Sequence, residues 1–133
     1  MLAKDLMRRD VFTVQDDQSV EELLDLLVQE HIHGCPVVNA DGELLGVVTQ
    51  QDIFFSGVTE EGQSAEKRKK TKVGDLMTSP AVSATEETEI LGLCRMMHRL
   101  RIHRVPIVND GKVTGIISSL DIIGRLASGE KDL

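Results

Sequence analysis

Residues 101–122 read RIHRVPIVNDGKVTGIISSLDI, and residues 31–53 read HIHGCPVVNADGELLGVVTQQDI. They are one pattern written twice, and a duplicated unit of this length decides the fold before any local propensity does. The correspondence extends outward from both stretches. Asp5-Leu6-Met7 recurs as Asp75-Leu76-Met77, Val20 matches Ile90, Leu23 matches Leu93, His33 matches His103 and Pro36 matches Pro106. Ala40 has no counterpart, after which Asp41 aligns with Asp110, Gly46 with Gly115, Thr49 with Ser118 and Asp52 with Asp121. A single added residue in a turn costs little loop entropy. Nearly the whole chain is therefore two copies of a unit of about 60 residues.

Composition narrows the function classes. A chain of 133 residues is of ordinary size for one compact core. No run of 18 apolar residues is present, and the charged start MLAKDLMRRD lacks the apolar stretch of a secretory signal. Cys35 and Cys94 are two isolated thiols, too few for a disulfide scaffold, which points to a reducing, cytoplasmic setting. Three Phe, no Tyr and no Trp leave few stacking platforms for single-stranded nucleic acid, and a net charge of −7 opposes a phosphate-backbone partner. The charge is uneven. Residues 1–55 hold 3 basic and 11 acidic groups, whereas Arg95, Arg99, Arg101 and Arg104 fall within ten positions of the second copy. An anionic ligand is expected to favour the second copy.

The pattern within each copy gives its elements. VFTV (11–14) reads as a strand, and Ser19 with Glu22 reads as a capping box opening a helix whose Val20, Leu23, Leu24 and Leu27 form one buried stripe. That helix should stop near His31–Gly34, ahead of Pro36. Two apolar runs, 35–38 and 44–48, flank Asp41-Gly42 and read as a hairpin covered on both faces. A second helix should run from about Thr49 to Phe55. Each copy thus reads β-α-β-β-α, and the second repeats it with a strand near 81–84, a helix over 86–100, strands at 105–108 and 113–117, and a helix over 119–127. In helix 86–100, Leu91, Met96 and Leu100 add apolar surface beyond the stripe of Ile90, Leu93, Cys94 and Met97. That excess is expected to face a second sheet or another subunit. Residues 56–72 are dense in charge, carry Lys67-Arg68-Lys69-Lys70, and read as a solvated linker.

Gly46-Val47-Val48-Thr49-Gln50-Gln51-Asp52 and Gly115-Ile116-Ile117-Ser118-Ser119-Leu120-Asp121 share one grammar. A hydroxyl residue ends a strand, and a carboxylate follows three residues later in a helix. One account is structural: Thr/Ser-x-x-Asp caps a helix and sets an acid at the positive end of its dipole. The other adds a ligand, because a carboxylate held beside a cleft can accept hydrogen bonds from the two hydroxyls of a ribose. Phosphate would then need a cation elsewhere, which His103-Arg104 could supply.

This ordered set, with the DLM lead-ins, resembles the cystathionine-β-synthase (CBS) domain in its tandem form, the Bateman module, over nearly all of the chain. The resemblance implies an α+β, sandwich-like fold of two pseudo-symmetric β-α-β-β-α units packed sheet to sheet, divided as unit 1 (residues 1–57), a charged linker (58–72) and unit 2 (73–133). It implies a non-catalytic regulatory module binding AMP, ADP, ATP or an S-adenosylmethionine-like ligand in clefts between the units. By position, Asp121 and Asp52 would hold the ribose. Ser118, Thr49, His103, Arg104 and His33 would supply hydroxyl and phosphate contacts. Ile116 and Val47, with Ile32, Ile102, Phe12 and Val82, would line the adenine. Ile32, His33 and Phe12 would serve the Asp121 cleft; Ile102, His103 and Val82 would serve the Asp52 cleft. Gly34 stands where the second copy has Arg104, so the Asp121 cleft is expected to bind better. A homodimer through helices near 20–30 and 88–100 and an effector protein in trans are the implied partners, with no cofactor required. A dimerising adaptor without a ligand is the alternative.

Two further readings fail on the repeat. His31, His33 and Cys35 share a strand face like metal ligands, but the second copy has Arg101, His103 and Val105 there. Ser118, His103 and Asp121 could compose a nucleophilic triad, yet the set recurs as Thr49, His33 and Asp52 with no G-x-S-x-G elbow.

Overall fold

A computed structural model describes residues 1–58 and 65–133. Among these residues the chain forms α1 (Ala3–Leu6), β1 (Val14–Gln15), α2 (Val20–Glu30), β2 (Gly34–Val38), β3 (Leu44–Thr49), α3 (Gln50–Ser56), α4 (Ala65–Lys70), α5 (Val73–Leu76), β4 (Ala84–Thr85), α6 (Ile90–Leu100), β5 (Arg104–Asn109), β6 (Lys112–Ser118) and α7 (Ser119–Ala127). These make two three-stranded sheets, ordered β1-β2-β3 and β4-β5-β6. In each, a short parallel strand joins an antiparallel hairpin: Val14 pairs with Val37 and Ala84 with Ile107. The mixed α/β architecture agrees with the fold class expected from the repeat.

The chain divides into two compact units, and their limits differ from those of the sequence repeats. One is a middle unit, Phe12–Ala81; the other is a composite unit, Met1–Val11 together with Val82–Leu133. The lead-in of each repeat thus packs on the sheet of the other. Arg8 forms a two-way backbone bridge with Ile116 of β6, and Thr78 forms the same bridge with Val47 of β3. The duplicated DLM motif now has a physical account. The aspartate caps a four-residue helix, with Asp5 accepting the Leu2 N–H at 2.9 Å and Asp75 accepting the Lys72 N–H at 3.3 Å. The methionine lies over a strand glycine, Met7 over Gly115 and Met77 over Gly46.

Each unit has its own core. In the middle unit Val20, Leu23 and Leu27 of α2 pack with Val14, Cys35, Val37, Val48, Ile53 and Val73; in the composite unit Ile90, Leu93 and Met97 of α6 pack with Ala3, Met7, Val105, Ile107, Ile117 and Ile122. Burying each large aliphatic side chain contributes about 1.5–3 kcal/mol. The helical stripes match the sequence spacing. Ser19 caps α2, its hydroxyl oxygen accepting the Glu22 N–H at 3.1 Å. Glu22 returns to the Ser19 hydroxyl rather than to its backbone. The helices α2 and α6 end in left-handed residues, His31 (φ 54°) and Arg101 (φ 58°). The expected Asp41-Gly42 turn closes the first hairpin between Asn39 and Glu43 with Gly42 alone at positive φ, whereas in the second hairpin Asp110 and Gly111 are both at positive φ between the paired Asn109 and Lys112.

Three local expectations change. The first strand covers Val14–Gln15 rather than 11–14, because continuing the register would set Thr13 against Pro36, which has no N–H to give. Likewise Ser83 would meet Pro106, so β4 begins at Ala84. Helix α6 begins at Ile90, not 86, because Thr88 folds back on Thr85 through both backbone and side chain. The linker is partly structured. Val58 is buried, and α4 lies against α2 with Arg68 Nε 2.8 Å from Glu21 Oε2. Residues 59–64 of the expected linker lie outside the described residues.

Candidate functional site

The two repeated carboxylates sit at the same place in their units, the junction where the last sheet strand turns into a helix. In the composite unit Ser118 ends β6 in extended conformation and caps α7. Its hydroxyl accepts the Asp121 N–H at 3.1 Å, and its own N–H donates to Asp121 Oδ2 at 2.9 Å. In the middle unit Thr49 ends β3 and caps α3: the Thr49 N–H donates to Asp52 Oδ2 at 2.8 Å, its hydroxyl donates to the same oxygen at 3.1 Å, and the Asp52 N–H reaches the Thr49 hydroxyl at 3.4 Å. The capping account is therefore correct for both copies, and each cap locks its carboxylate rotamer. It leaves open what the second oxygen of each carboxylate does.

That second oxygen is where the units part. Asp121 Oδ1 receives Arg8 Nη2 at 2.9 Å and Nε at 3.1 Å, and its side chain is only 11% exposed. Among the described residues no cation pairs with Asp52, and the position equivalent to Arg8 in the other lead-in is Thr78. Arg8 was not singled out by sequence reasoning. The signal was there: aligning the lead-ins sets DLM-Arg8 against DLM-Thr78, a charged difference directly after a shared motif.

Strand alternation places the neighbours. Ile116 and Ser118 share one face of β6, and Val47 and Thr49 share one face of β3, all four half-buried, while Ile117 and Val48 point into the cores. Each junction thus offers a hydroxyl and a half-covered aliphatic side chain side by side. His33 and His103 stand just before the first hairpin strands, and their carbonyls accept the N–H groups of Gln50 and Ser119 at 2.9 and 2.8 Å. The His33 ring lies 3.2 Å from Gln50 Oε1. Arg104 is exposed and directly opposite Ser118 in the hairpin register. Gly34 occupies the matching place opposite Thr49.

Gly34 is more than a missing guanidinium. A Cβ built there would lie 2.8 Å from the Val48 carbonyl oxygen and 3.1 Å from Thr49 Cα. The strands close in where the other unit carries an arginine, so the difference is built into the backbone.

The remaining expected residues fall on both sides of the unit division. Phe12, Ile32 and His33 belong to the middle unit with Asp52; Val82, Ile102, His103 and Arg104 belong to the composite unit with Asp121. Ile32 and Ile102 are half-buried and pack against the cores of their own units. Phe12 and Val82 are exposed. Concavities of about 520 and 510 Å³ lie elsewhere, the first at the Asn109–Gly111 turn and the second beside Phe54 and Phe55. Among the described residues no cluster of His, Cys, Asp and Glu has metal-site geometry, and no helix is long and apolar enough to cross a membrane.

Comparison with known proteins bears on this arrangement. The family model described as CBS domain matches residues 3–57 and 73–128. An inosine-5'-monophosphate dehydrogenase from Methanocaldococcus jannaschii is 33% identical over 124 residues, covering 92% of this chain. The chain spans 23% of that enzyme's length. The crystal structure of CBSX2 in complex with AMP superposes with a TM-score of 0.82 at 28% identity, covering 96% of each chain. The CBS domain pair of protein MJ0100, in complex with 5'-methylthioadenosine and S-adenosyl-L-methionine, superposes with a TM-score of 0.79 at 28% identity, covering 98% of each chain.

Proposed function

Because the chain belongs to the CBS domain family, as a tandem pair, we propose that it is a regulatory module whose two helix-start carboxylates, Asp121 and Asp52, bind the ribose of adenosine-containing nucleotides. The observation that carries this reading is the duplicated junction itself. In both units a capped carboxylate is held rigidly beside a hydroxyl (Ser118, Thr49) and a half-covered aliphatic side chain (Ile116, Val47). A preformed acceptor beside an apolar wall suits a sugar joined to a flat base. That CBSX2 was crystallised with AMP and the MJ0100 pair with adenosyl compounds supports the ligand class.

In this reading Ile116 and Val47, with Ile32, Ile102, Phe12 and Val82, contact adenine, and His103, Arg104 and His33 contact phosphate. The Asp121 site binds more tightly than the Asp52 site, since Arg104 has only Gly34 as its counterpart. A bound nucleotide shifts the module between arrangements that differ in affinity for it, and a partner protein reads the change. Exposed Val28 on α2, and Leu91 and Leu100 on α6, suit self-association into a homodimer.

Calorimetric titration with AMP, ADP, ATP and S-adenosylmethionine tests the proposal. Binding that Asp121→Ala weakens more than Asp52→Ala does is the expected outcome. Absence of heat and of thermal stabilisation with every compound would instead favour the adaptor reading, for which the exposed Phe54, Phe55, Leu120 and Ile123 supply apolar surface.

A further inference from the structure

A ribose diol needs a free carboxylate oxygen, and in the composite unit that oxygen is taken. Asp121 Oδ2 holds the Ser118 N–H, and Oδ1 holds both Nη2 and Nε of Arg8. For a diol to reach Oδ1, Arg8 must withdraw. It is able to: its side chain is 69% exposed, and Asp121 is its one carboxylate partner among the described residues. Its backbone stays fixed by two 3.0 Å hydrogen bonds with Ile116, so only the side chain moves and the freed guanidinium remains beside the ligand.

What that guanidinium meets next depends on the ligand. A phosphate offers a replacement anion and a bidentate geometry that arginine matches well. A nucleoside without phosphate leaves Arg8 with nothing in exchange for the ion pair it gave up. In the middle unit no such exchange arises. Asp52 Oδ1 is unengaged among the described residues, and Thr78 stands in the place of Arg8.

We propose, building on the nucleotide-binding reading, that Arg8 is a specificity residue: an exchangeable counter-ion of Asp121 that makes this site select phosphorylated over unphosphorylated adenosine ligands. The Asp52 site, with neither Arg8 nor an Arg104 equivalent, lacks that selection.

The test compares AMP with adenosine, which share base and sugar and differ only in the phosphate. Titrations use the full chain carrying Asp52→Ala, so that the Asp121 site is read alone. With Arg8 present, AMP binds more tightly than adenosine. Arg8→Gln strengthens adenosine and weakens AMP, narrowing their ratio by about tenfold, the size of one charge-assisted hydrogen bond. Arg8→Lys, which keeps the charge but loses the fork, restores part of the preference. In the Asp121→Ala background, Arg8→Gln leaves the AMP-to-adenosine ratio of the Asp52 site unchanged. If AMP binds and Arg8→Gln leaves the ratio at the Asp121 site as it was, the counter-ion role is overturned while the nucleotide reading stands. If neither ligand binds the Asp52→Ala parent or the unmutated chain, the nucleotide reading itself is overturned, and this one with it.

Discussion

Replacing Gly46 or Gly115 by alanine tests how the lead-ins are seated, because the two glycines are equivalent in sequence and unequal in surroundings. At Gly46 an added Cβ lies 2.5 Å from the Thr78 carbonyl oxygen and 3.0 Å from Met77 Sδ. That oxygen is the acceptor for the Val47 N–H at 3.0 Å, one of the two backbone bonds joining the lead-in to β3. It must retreat by about half an ångström even to reach the tightest contact that real Cβ atoms show, which strains or breaks the bridge. At Gly115 the nearest atoms are Met7 Sδ at 2.5 Å and Met7 Cγ at 2.8 Å, with the Arg8 oxygen at 3.0 Å. Most of that clash is with a flexible side chain, which can turn away at the cost of some core packing. Overpacking of this kind costs about 1–3 kcal/mol. Gly46→Ala should fall at the top of that range and Gly115→Ala near the bottom. Urea denaturation with m-values checked for constancy measures both. Double mutants sharpen the argument: Met7→Ala should offset much of the Gly115→Ala loss, whereas Met77→Ala should recover little of Gly46→Ala. Equal costs for the two glycines, or full rescue of Gly46→Ala by Met77→Ala, would show that the lead-ins are not bound as described.

Three further outcomes follow from local chemistry. Burial pushes the Cys35 thiol from 9.0 up to about 12, while Cys94 is only half-buried. At about pH 8 one thiol per chain should react readily with a disulfide reagent and the second only after denaturant is added; two equally fast thiols would contradict the burial. The sign of the linkage is also set. Above pH 9 the unfolded thiol loses its proton while the folded one keeps it, so Cys35 favours unfolding increasingly as pH rises toward 12, and Cys35→Ala should flatten that slope. At the helix ends, Arg101 (φ 58°) and His31 (φ 54°) hold a left-handed conformation that disfavours a side chain. Arg101→Gly and His31→Gly should each raise stability by up to about 1 kcal/mol in thermal unfolding; a loss in both would mean that these side chains make contacts worth more than the strain.

Much of the candidate site was legible because it is local. A hydroxyl and an aspartate three residues apart at a strand-to-helix junction cap one another whatever surrounds them, so Ser118–Asp121 and Thr49–Asp52 could be located from spacing alone. The helical stripes of α2 and α6 were equally readable, since a period of 3.6 fixes which side chains share a face. The short parallel strands were overestimated because the apolar content of VFTV carries no sign of where Pro36 interrupts the ladder. Gly34 read as a lost arginine; only the hairpin geometry shows that the Val48 carbonyl closes in on it.

The duplication, written plainly in the sequence, determined the β-α-β-β-α order within each copy, the helical stripes that enter both cores and the position of both carboxylates, because each follows from periodicity or from contacts a few residues apart. Tertiary structure alone decided that Met7-Arg8 lies on β6 and Met77-Thr78 on β3. Both lead-ins carry the same DLM motif and both strands the same glycine, so their pairing is degenerate in the sequence and only the path of the folded chain resolves it. That path sets a guanidinium against Asp121 in one unit and a threonine on Val47 in the other, and so makes two copies of one motif chemically different.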